Sequence, residues 1–407
     1  MKKIAVSLLA LTLAVFLAVP AMAEFEPYAE VKLITGWSDI QGNDAEPGKS
    51  LGGTEYPYTQ RDDEDLAWDL CNFSVFGAKF KTGDLGGHVE FEVFGSNDRD
   101  HHDNVVEIAL MYGTWDFAGG TLKVGQDYAP YTFKSAQIAP NSLGHAFSGF
   151  GLGAREIDGQ NRFIGYGCLW DWYEPQIELK LDNGFYVALI QPEVMDEEDM
   201  ADIINLGAPG AVDAATLDVD TDIPKIVVGY EFKTEGLMLN PGFAYHICEY
   251  TDKANDWDAD VDSYLLYLNT KVDVGPATLQ GSFHYGENLG NFGLENREAF
   301  AYAMAETDGD IEDAVSYGGY IQVAFPVDPV TITLGYGYTR SETDSNAIET
   351  EYGGDTDEQQ SYFVQAKIPI AETFFIVPEL SYFDMMDIGD YDEPEAWFAG
   401  IMWQMDF

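Results

Sequence analysis

The feature that most constrains this chain is a period-two alternation of apolar and polar residues, broken by tight turns and long acidic connections. It is plainest in the last eleven residues. Trp397, Ala399, Ile401, Trp403, Met405 and Phe407 fall at every second position, with Phe398, Gly400, Met402, Gln404 and Asp406 between them. A period of two is a strand with one fully apolar face. Elsewhere Val89, Phe91 and Val93 oppose His88, Glu90 and Glu92. Leu122 and Val124 oppose Lys123, and Val323 and Phe325 lie opposite Gln322. Val106, Ile108, Leu110 and Tyr112 read as one face opposite Glu107. In water, an apolar terminal strand would fray and aggregate. A strand that turns its apolar face to lipid and its aromatic end to the interface avoids both.

The other end of the sequence agrees. Lys2 and Lys3 precede an apolar run from Ile4 to Val19 that only Ser7 and Thr12 interrupt. Pro20 ends the run, and Ala21-Met22-Ala23 is a small-x-small cleavage site. Residues 1–23 therefore read as a secretory signal peptide removed after Ala23. No other stretch approaches the roughly 18 apolar residues that a spanning helix needs. An exported chain without such helices can reside in a membrane only as a closed barrel. Residues 24–407 are expected to form that single barrel domain.

Turn chemistry sets the strand count. Short connections lie at Gly83-Asp84-Leu85-Gly86-Gly87, Ala118-Gly119-Gly120, Asp182-Asn183-Gly184, Thr234-Glu235-Gly236, Gly275-Pro276, Val327-Asp328-Pro329 and Ala371-Glu372-Thr373. These are hairpin signals. Alternating runs begin near 25, 69, 87, 105, 120, 170, 184, 224, 238, 261, 276, 314, 329, 359, 373 and 394. The fold class is thus all-β: a transmembrane antiparallel β-barrel of about sixteen strands. The long connections, roughly 39–68, 129–169, 193–223, 251–260, 287–313, 342–358 and 386–393, share the opposite end. A helical pattern, Arg297 to Glu306, lies in one of them. Sixteen strands enclose more space than side chains fill, so a wet lumen or a plug is expected.

The formal net charge is −51. A polyanion of this kind repels nucleic acid, which excludes that class of partner. Aromatic residues at 14% and hydrophobic ones at 46% exclude a disordered acidic chain. Cys71, Cys168 and Cys248 form no CxxC, so neither a thiolate zinc pair nor covalent haem is indicated. One disulfide, or three small wall residues, fits equally. No G-x-S-x-G, HExxH or P-loop occurs, and the expectation is not an enzyme.

The run Gly120-Thr121-Leu122-Lys123-Val124-Gly125-Gln126-Asp127-Tyr128-Ala129-Pro130 resembles a segment of the Gram-negative general-diffusion porins. In that family a Gly-Thr-Leu-x-x-Gly-Arg-Gln-Tyr-x-Pro type sequence forms the fifth strand and leads into a long third loop. The resemblance implies an outer-membrane channel whose third loop, here about 129–169, folds into the lumen. It implies a homotrimer, with the short connection at 97–104 as a latch, and a terminal Phe407 read by the assembly machinery. Family members set basic wall residues against acidic ones on the third loop. This chain departs from that pattern, with Gln126 where Arg is usual, followed by Asp127.

By alternation Glu30, Lys32, Lys79, Glu90, Glu92, Glu107 and Lys123 line the lumen. Lys134, Arg155, Glu156 and Asp158 on the third loop, with Gln126 and Asp127, complete the expected constriction. Lumen carboxylates favour cations, so a cation-preferring pore for small hydrophilic solutes is expected, with lipid as its surroundings. Asp218, Asp220 and Asp222 form a D-x-D-x-D run that could hold Ca²⁺ or another divalent ion loosely in a curved loop. Asp256, Asp258, Asp260 and Asp262 extend the pattern. Two rivals remain. One is a barrel that sheathes a separate multihaem cytochrome. The other is a sugar-specific porin using Trp170, Trp172 and Tyr173.

Overall fold

The computed structural model describes residues 24–41, 63–70, 74–94, 105–138, 165–171, 173–192, 216–221, 223–252, 257–294, 298–305, 311–346, 349, 353–389 and 395–407. They form a closed antiparallel barrel of sixteen strands. β1 is Glu24–Gln41. β2 has two segments, Asp63–Leu70 and Ser74–Thr82, which pair in succession with the upper and lower parts of β1. β3 is Leu85–Phe94, β4 Val105–Phe117, β5 Gly120–Tyr128, β6 Tyr173–Leu181 and β7 Phe185–Ile190. β8 is interrupted into Leu217–Asp220, Lys225–Tyr230 and Phe232–Thr234. β9 is Leu237–Asp252, β10 Trp257–Val274, β11 Ala277–Glu287 and β12 Ala314–Val327. β13 is Val330–Thr343, β14 Thr356–Ala371, β15 Phe374–Asp384 and β16 Glu395–Asp406.

Closure is made by β1 and β16, in register from Glu30 opposite Asp406 to Gln41 opposite Glu395. Phe407 and Ala29 exchange backbone hydrogen bonds of 2.8 and 3.2 Å, so no sheet edge is left open there. The seven tight turns lie at one end with both termini, and the longer connections lie at the other. Glycine at positive φ supplies several of those turns, such as Gly83 at 58° and Gly275 at 62°.

The alternation sorts lipid from lumen. Val31, Phe76, Val124, Ile177, Phe243, Leu266, Phe283, Ile321, Leu334, Val364, Leu380 and Met405 are exposed on the outer face. Tyr285, Tyr317, Tyr362 and Trp397 mark an aromatic rim towards the long loops, and Phe25, Trp115, Phe185 and Phe232 mark the other. An apolar band between two aromatic girdles is the surface of a barrel that spans a bilayer. Above the upper girdle the outward side chains are acidic: tyrosine hydroxyls Tyr245, Tyr264, Tyr338 and Tyr382 donate to Asp262, Glu287, Glu358 and Glu395.

The fourth strand departs from the simple alternation. Glu90 pairs with Leu110 but Phe91 pairs with Ile108, so Ala109 is an extra residue, a β-bulge. Val106 and Ile108 face lipid, and the bulge shifts the parity beyond them. Met111 and Trp115 then take the outer face, and Leu110 and Tyr112 turn inward with Glu107. Counting a strict period of two through the bulge had put Leu110 and Tyr112 outside.

The lumen is not wet throughout. Under β7 to β11 it holds an apolar core that includes Tyr131, Leu169, Ile190, Val227, Leu289 and Phe292. Two loops build it. The third loop supplies Tyr131 and Leu169. The connection after β11 turns inward as a 3-10 turn, Leu289–Phe292, with all four residues buried. The helical pattern in that connection forms only one turn, α1 at Glu298–Ala301, with Phe300 buried. Cys248 is buried on the inner wall at β9, Cys168 is buried on the third loop rather than in the wall, and Cys71 lies outside the described residues.

Candidate constriction site

The third loop enters the barrel, and its backbone is strapped to the far wall. Asn269 on β10 donates to the Tyr131 carbonyl at 3.2 Å. Gln280 on β11 and Tyr320 on β12 both donate to the Lys134 carbonyl, at 2.9 and 2.8 Å. The Ala136 amide donates to Gln322 at 2.7 Å, and Gln365 on β14 donates to the Ala136 carbonyl at 2.5 Å. The Ile138 amide reaches both carboxylate oxygens of Glu379 on β15, at 3.0 and 2.9 Å. The described outgoing leg thus crosses the inner face from β10 to β15, one side-chain anchor after another. A loop backbone inside a barrel needs such partners because its polar groups have left water.

The return leg lies on the same wall. The Gly167 amide donates to Thr339 at 3.1 Å and the Tyr166 amide to Ser361 at 3.3 Å. At φ 80° Gly167 approaches so closely that a Cβ would sit 2.1 Å from the Gly319 carbonyl oxygen, which excludes any side chain there. Leu169 bridges to Leu294, and the Trp170 amide donates to the Gly293 carbonyl at 2.6 Å. The two inward-folded loops are therefore joined to each other.

One buried ion pair locks this assembly. Lys225 on β8 is 2.5 Å from Asp171 on the return leg, and both side chains are almost fully removed from solvent. Tyr131 on the outgoing leg donates to the same carboxylate oxygen, and Lys225 lies 3.4 Å from the Tyr131 hydroxyl. Burial, followed by the charge of Asp171 and the hydrogen bond to it, pushes the Tyr131 phenol well above its ordinary pKa. Tyr131 therefore remains a donor.

Across from these anchors, the arc β1–β6 carries a linked set of polar side chains. Tyr28 donates to Glu90 at 2.5 Å and contacts the His88 ring at 2.6 Å, and His88 lies 3.3 Å from the Tyr112 hydroxyl. Lys123 sits between Asp127 at 2.5 Å and Glu178 at 2.8 Å, with its ammonium 5.5 Å above the Tyr112 ring. Lys79 lies 5.8 Å from the Tyr28 ring centre. Glu30 pairs with Lys32 at 3.2 Å and accepts from Gln404 at 2.5 Å. This arc mixes both signs of charge.

The sequence candidates divide accordingly. Glu30, Lys32, Glu90, Lys123 and Asp127 join the half-buried inner arc, and Glu107 faces inward beside it. Glu92 also points in, but it is fully buried and accepts from Tyr173. Gln126 points outward. It pairs with lipid-facing Met111, and its amide donates to the Ile108 and Ala109 carbonyls at 2.6 and 3.3 Å. The carboxamide thus satisfies carbonyls at the bulge, which a count of alternation could not foresee. Lys134 is held against Tyr128 and Trp170. Arg155, Glu156, Asp158 and Trp172 lie outside the described residues.

Asp218 and Asp220 belong to an extended segment of β8 and pair with Thr251 and Glu249, so they do not sit in a curved loop. Asp222 lies outside the described residues. Among the described residues no group of three or more His, Cys, Asp or Glu side chains is arranged to hold a metal ion.

No protein-family model matches the chain, and no curated protein sequence does either. Solved structures do. The outer membrane channel DcaP of Acinetobacter baumannii aligns over 95% of this chain and 98% of its own, with TM-score 0.61 and 14% identity. The chain has the fold of the Gram-negative outer-membrane porins. The anion-selective porin from Comamonas acidovorans aligns over 95% of this chain and 100% of its own, with TM-score 0.51 and 14% identity. OmpF of Salmonella typhi, in complex with daunomycin, aligns over 94% and 98%, with TM-score 0.51 and 11% identity. One of these porins is anion-selective by its own description. The porin fold therefore carries no sign of charge preference, which must come from the side chains of the lumen.

Proposed function

We propose that this protein is a passive outer-membrane channel that passes small hydrophilic solutes, prefers cations and works as a homotrimer. The observation that carries the reading is the strapping of the third loop to β10–β15. It narrows the lumen to a path along the charged arc β1–β6. On that arc Glu30, Glu90, Asp127 and Glu178 outnumber Lys32, Lys79 and Lys123. Carboxylates in a narrow aqueous path concentrate cations.

The loop inside the barrel disfavours a sheath around a cytochrome, which needs an empty lumen. Trp170 and Tyr173 are buried, which disfavours a sugar track built on them. The outward carboxylates above the girdle suit loose divalent bridging to anionic headgroups of the outer leaflet. The reversal potential of the purified protein in a planar bilayer, under a KCl gradient, tests the channel reading. A cation-selective potential is expected. An anion-selective one, or no conductance, would refute it.

A further inference from the structure

On the outer face, one register row of the sheet carries four aromatic rings on four successive strands. Tyr336 on β13 stands opposite Tyr362 on β14, Tyr362 opposite Tyr382 on β15, and Tyr382 opposite Trp397 on β16. The row belongs to the aromatic rim towards the long loops, where side chains meet both lipid and outside water. The Tyr336 and Tyr362 centroids are 4.8 Å apart at 42°. Those of Tyr362 and Tyr382 are 6.4 Å apart at 29°, and those of Tyr382 and Trp397 are 4.7 Å apart at 42°.

Within this row Tyr336 and Tyr362 form a distinct pair. Both hydroxyls donate to one acceptor, the Gln360 carboxamide oxygen, at 3.4 and 2.8 Å. Two phenols whose oxygens converge also bring together the ring carbons beside those oxygens. These ortho carbons carry much of the unpaired spin once a phenol has lost an electron and a proton. At 4.8 Å the two rings stand near the short end of the roughly 4.5–7 Å range of aromatic pairs. A small shift brings them to the separation of two rings joined directly. Tyr382 lies further from Tyr362, and its hydroxyl is turned to Glu395 on β16. Tyr362 is exposed and Tyr336 half-buried, so a small oxidant reaches the pair from outside the barrel.

We propose that Tyr336 and Tyr362 are an oxidative coupling site, which an external one-electron oxidant closes to a dityrosine staple between β13 and β14. Each phenol gives one electron to the oxidant and its proton to water. The two phenoxyl radicals then join through a carbon–carbon bond between ortho carbons, and the ortho hydrogens move to the phenol oxygens. The pair loses two electrons and two protons in all, and two equivalents of oxidant are reduced. The staple ties covalently two strands that meet only through non-covalent contacts before it forms, so it holds the chain between them as a closed loop when the sheet unfolds. The site is independent of the channel reading, because both rings lie on the outer face and need no open pore.

The test is photo-oxidation of the folded protein in detergent by ruthenium tris-bipyridine with persulfate, followed by digestion and mass spectrometry. A peptide pair joined through Tyr336 and Tyr362, lighter by two hydrogen atoms, is expected on a chain that still migrates as one polypeptide, together with dityrosine fluorescence. Tyr336→Phe and Tyr362→Phe keep the ring and lose the phenol, and each should lose that product. Tyr382→Phe should retain it. Coupled protein should also unfold at a higher urea concentration than untreated protein. A dominant link between Tyr362 and Tyr382, or undiminished dityrosine fluorescence in Tyr336→Phe, would overturn the site. An unchanged urea midpoint in coupled protein would overturn its role as a staple.

Discussion

Removing one partner of the buried pair Lys225–Asp171 should release the third loop from its wall. In Lys225→Met the side-chain volume is nearly kept, but the Asp171 carboxylate stays buried and retains the Tyr131 hydroxyl as a donor. Breaking a buried pair at one end costs about 3–5 kcal/mol, because an uncompensated charge is left in a dry site. That cost falls on the docked loop, since the sixteen-strand ladder does not depend on this contact. A shift of about 4 kcal/mol changes a docked-to-released ratio by roughly a thousandfold. A loop that was docked almost always would then spend a measurable fraction of time released. Single-channel recordings should show frequent steps to a second, larger conductance. Replacing both members, Lys225→Met with Asp171→Leu, removes the stranded charge and should recover most of the steady current, because apolar replacement of a whole pair is near neutral and only the buried Tyr131 hydroxyl then loses its acceptor. Unchanged current in Lys225→Met, or a double variant as noisy as the single one, would refute the clamp.

Three further outcomes are expected. Gln126→Leu removes the donor to the bulge carbonyls and should lower stability by about 1–3 kcal/mol in urea-driven unfolding from lipid vesicles, with reversal potential unchanged. A changed selectivity would put Gln126 back in the pore. Lys123→Met unmasks Asp127 and Glu178, two charges each worth about 1 kcal/mol at 4 Å in water, and should raise the cation-to-anion permeability ratio up to about fivefold. A move towards anions would refute the assignment of that arc to the path. Chelation of divalent ions should lower the thermal unfolding temperature of the protein in lipopolysaccharide-containing vesicles. Added Ca²⁺, but not Na⁺ at equal ionic strength, should restore it. Indifference to chelation would remove divalent bridging from the account.

Much of the barrel was legible in the residues because lipid and water impose a local rule on each strand. The period of two identified β16 and its lipid face, and the turn residues gave seven hairpins and hence the even number of strands. The rule failed where one residue broke the period. Ala109 cannot be recognised as a bulge from its neighbours, yet it reversed the faces of Leu110 and Tyr112. Gln126 read as a pore residue because the resemblance put a charged residue there, while its partners on β4 turned it to lipid. The amides that hold the third loop, Asn269, Gln280, Gln322 and Gln365, all stood at inward positions of alternating segments. Inward polarity reads as contact with water until a loop backbone is known to lie against it.

The sequence by itself determined where this protein resides and that it closes on itself, because one apolar face per strand and an even number of strands admit little else. Only the tertiary structure decided what the lumen contains. Lys225, Asp171 and Tyr131 are separated by tens of residues, and so is Trp170 from Lys134 and Tyr128. They meet because a sixteen-strand cylinder leaves a cavity that two loops fill. Which side chains meet in such a cavity depends on the stagger and closure of the whole sheet, and no local period carries that information.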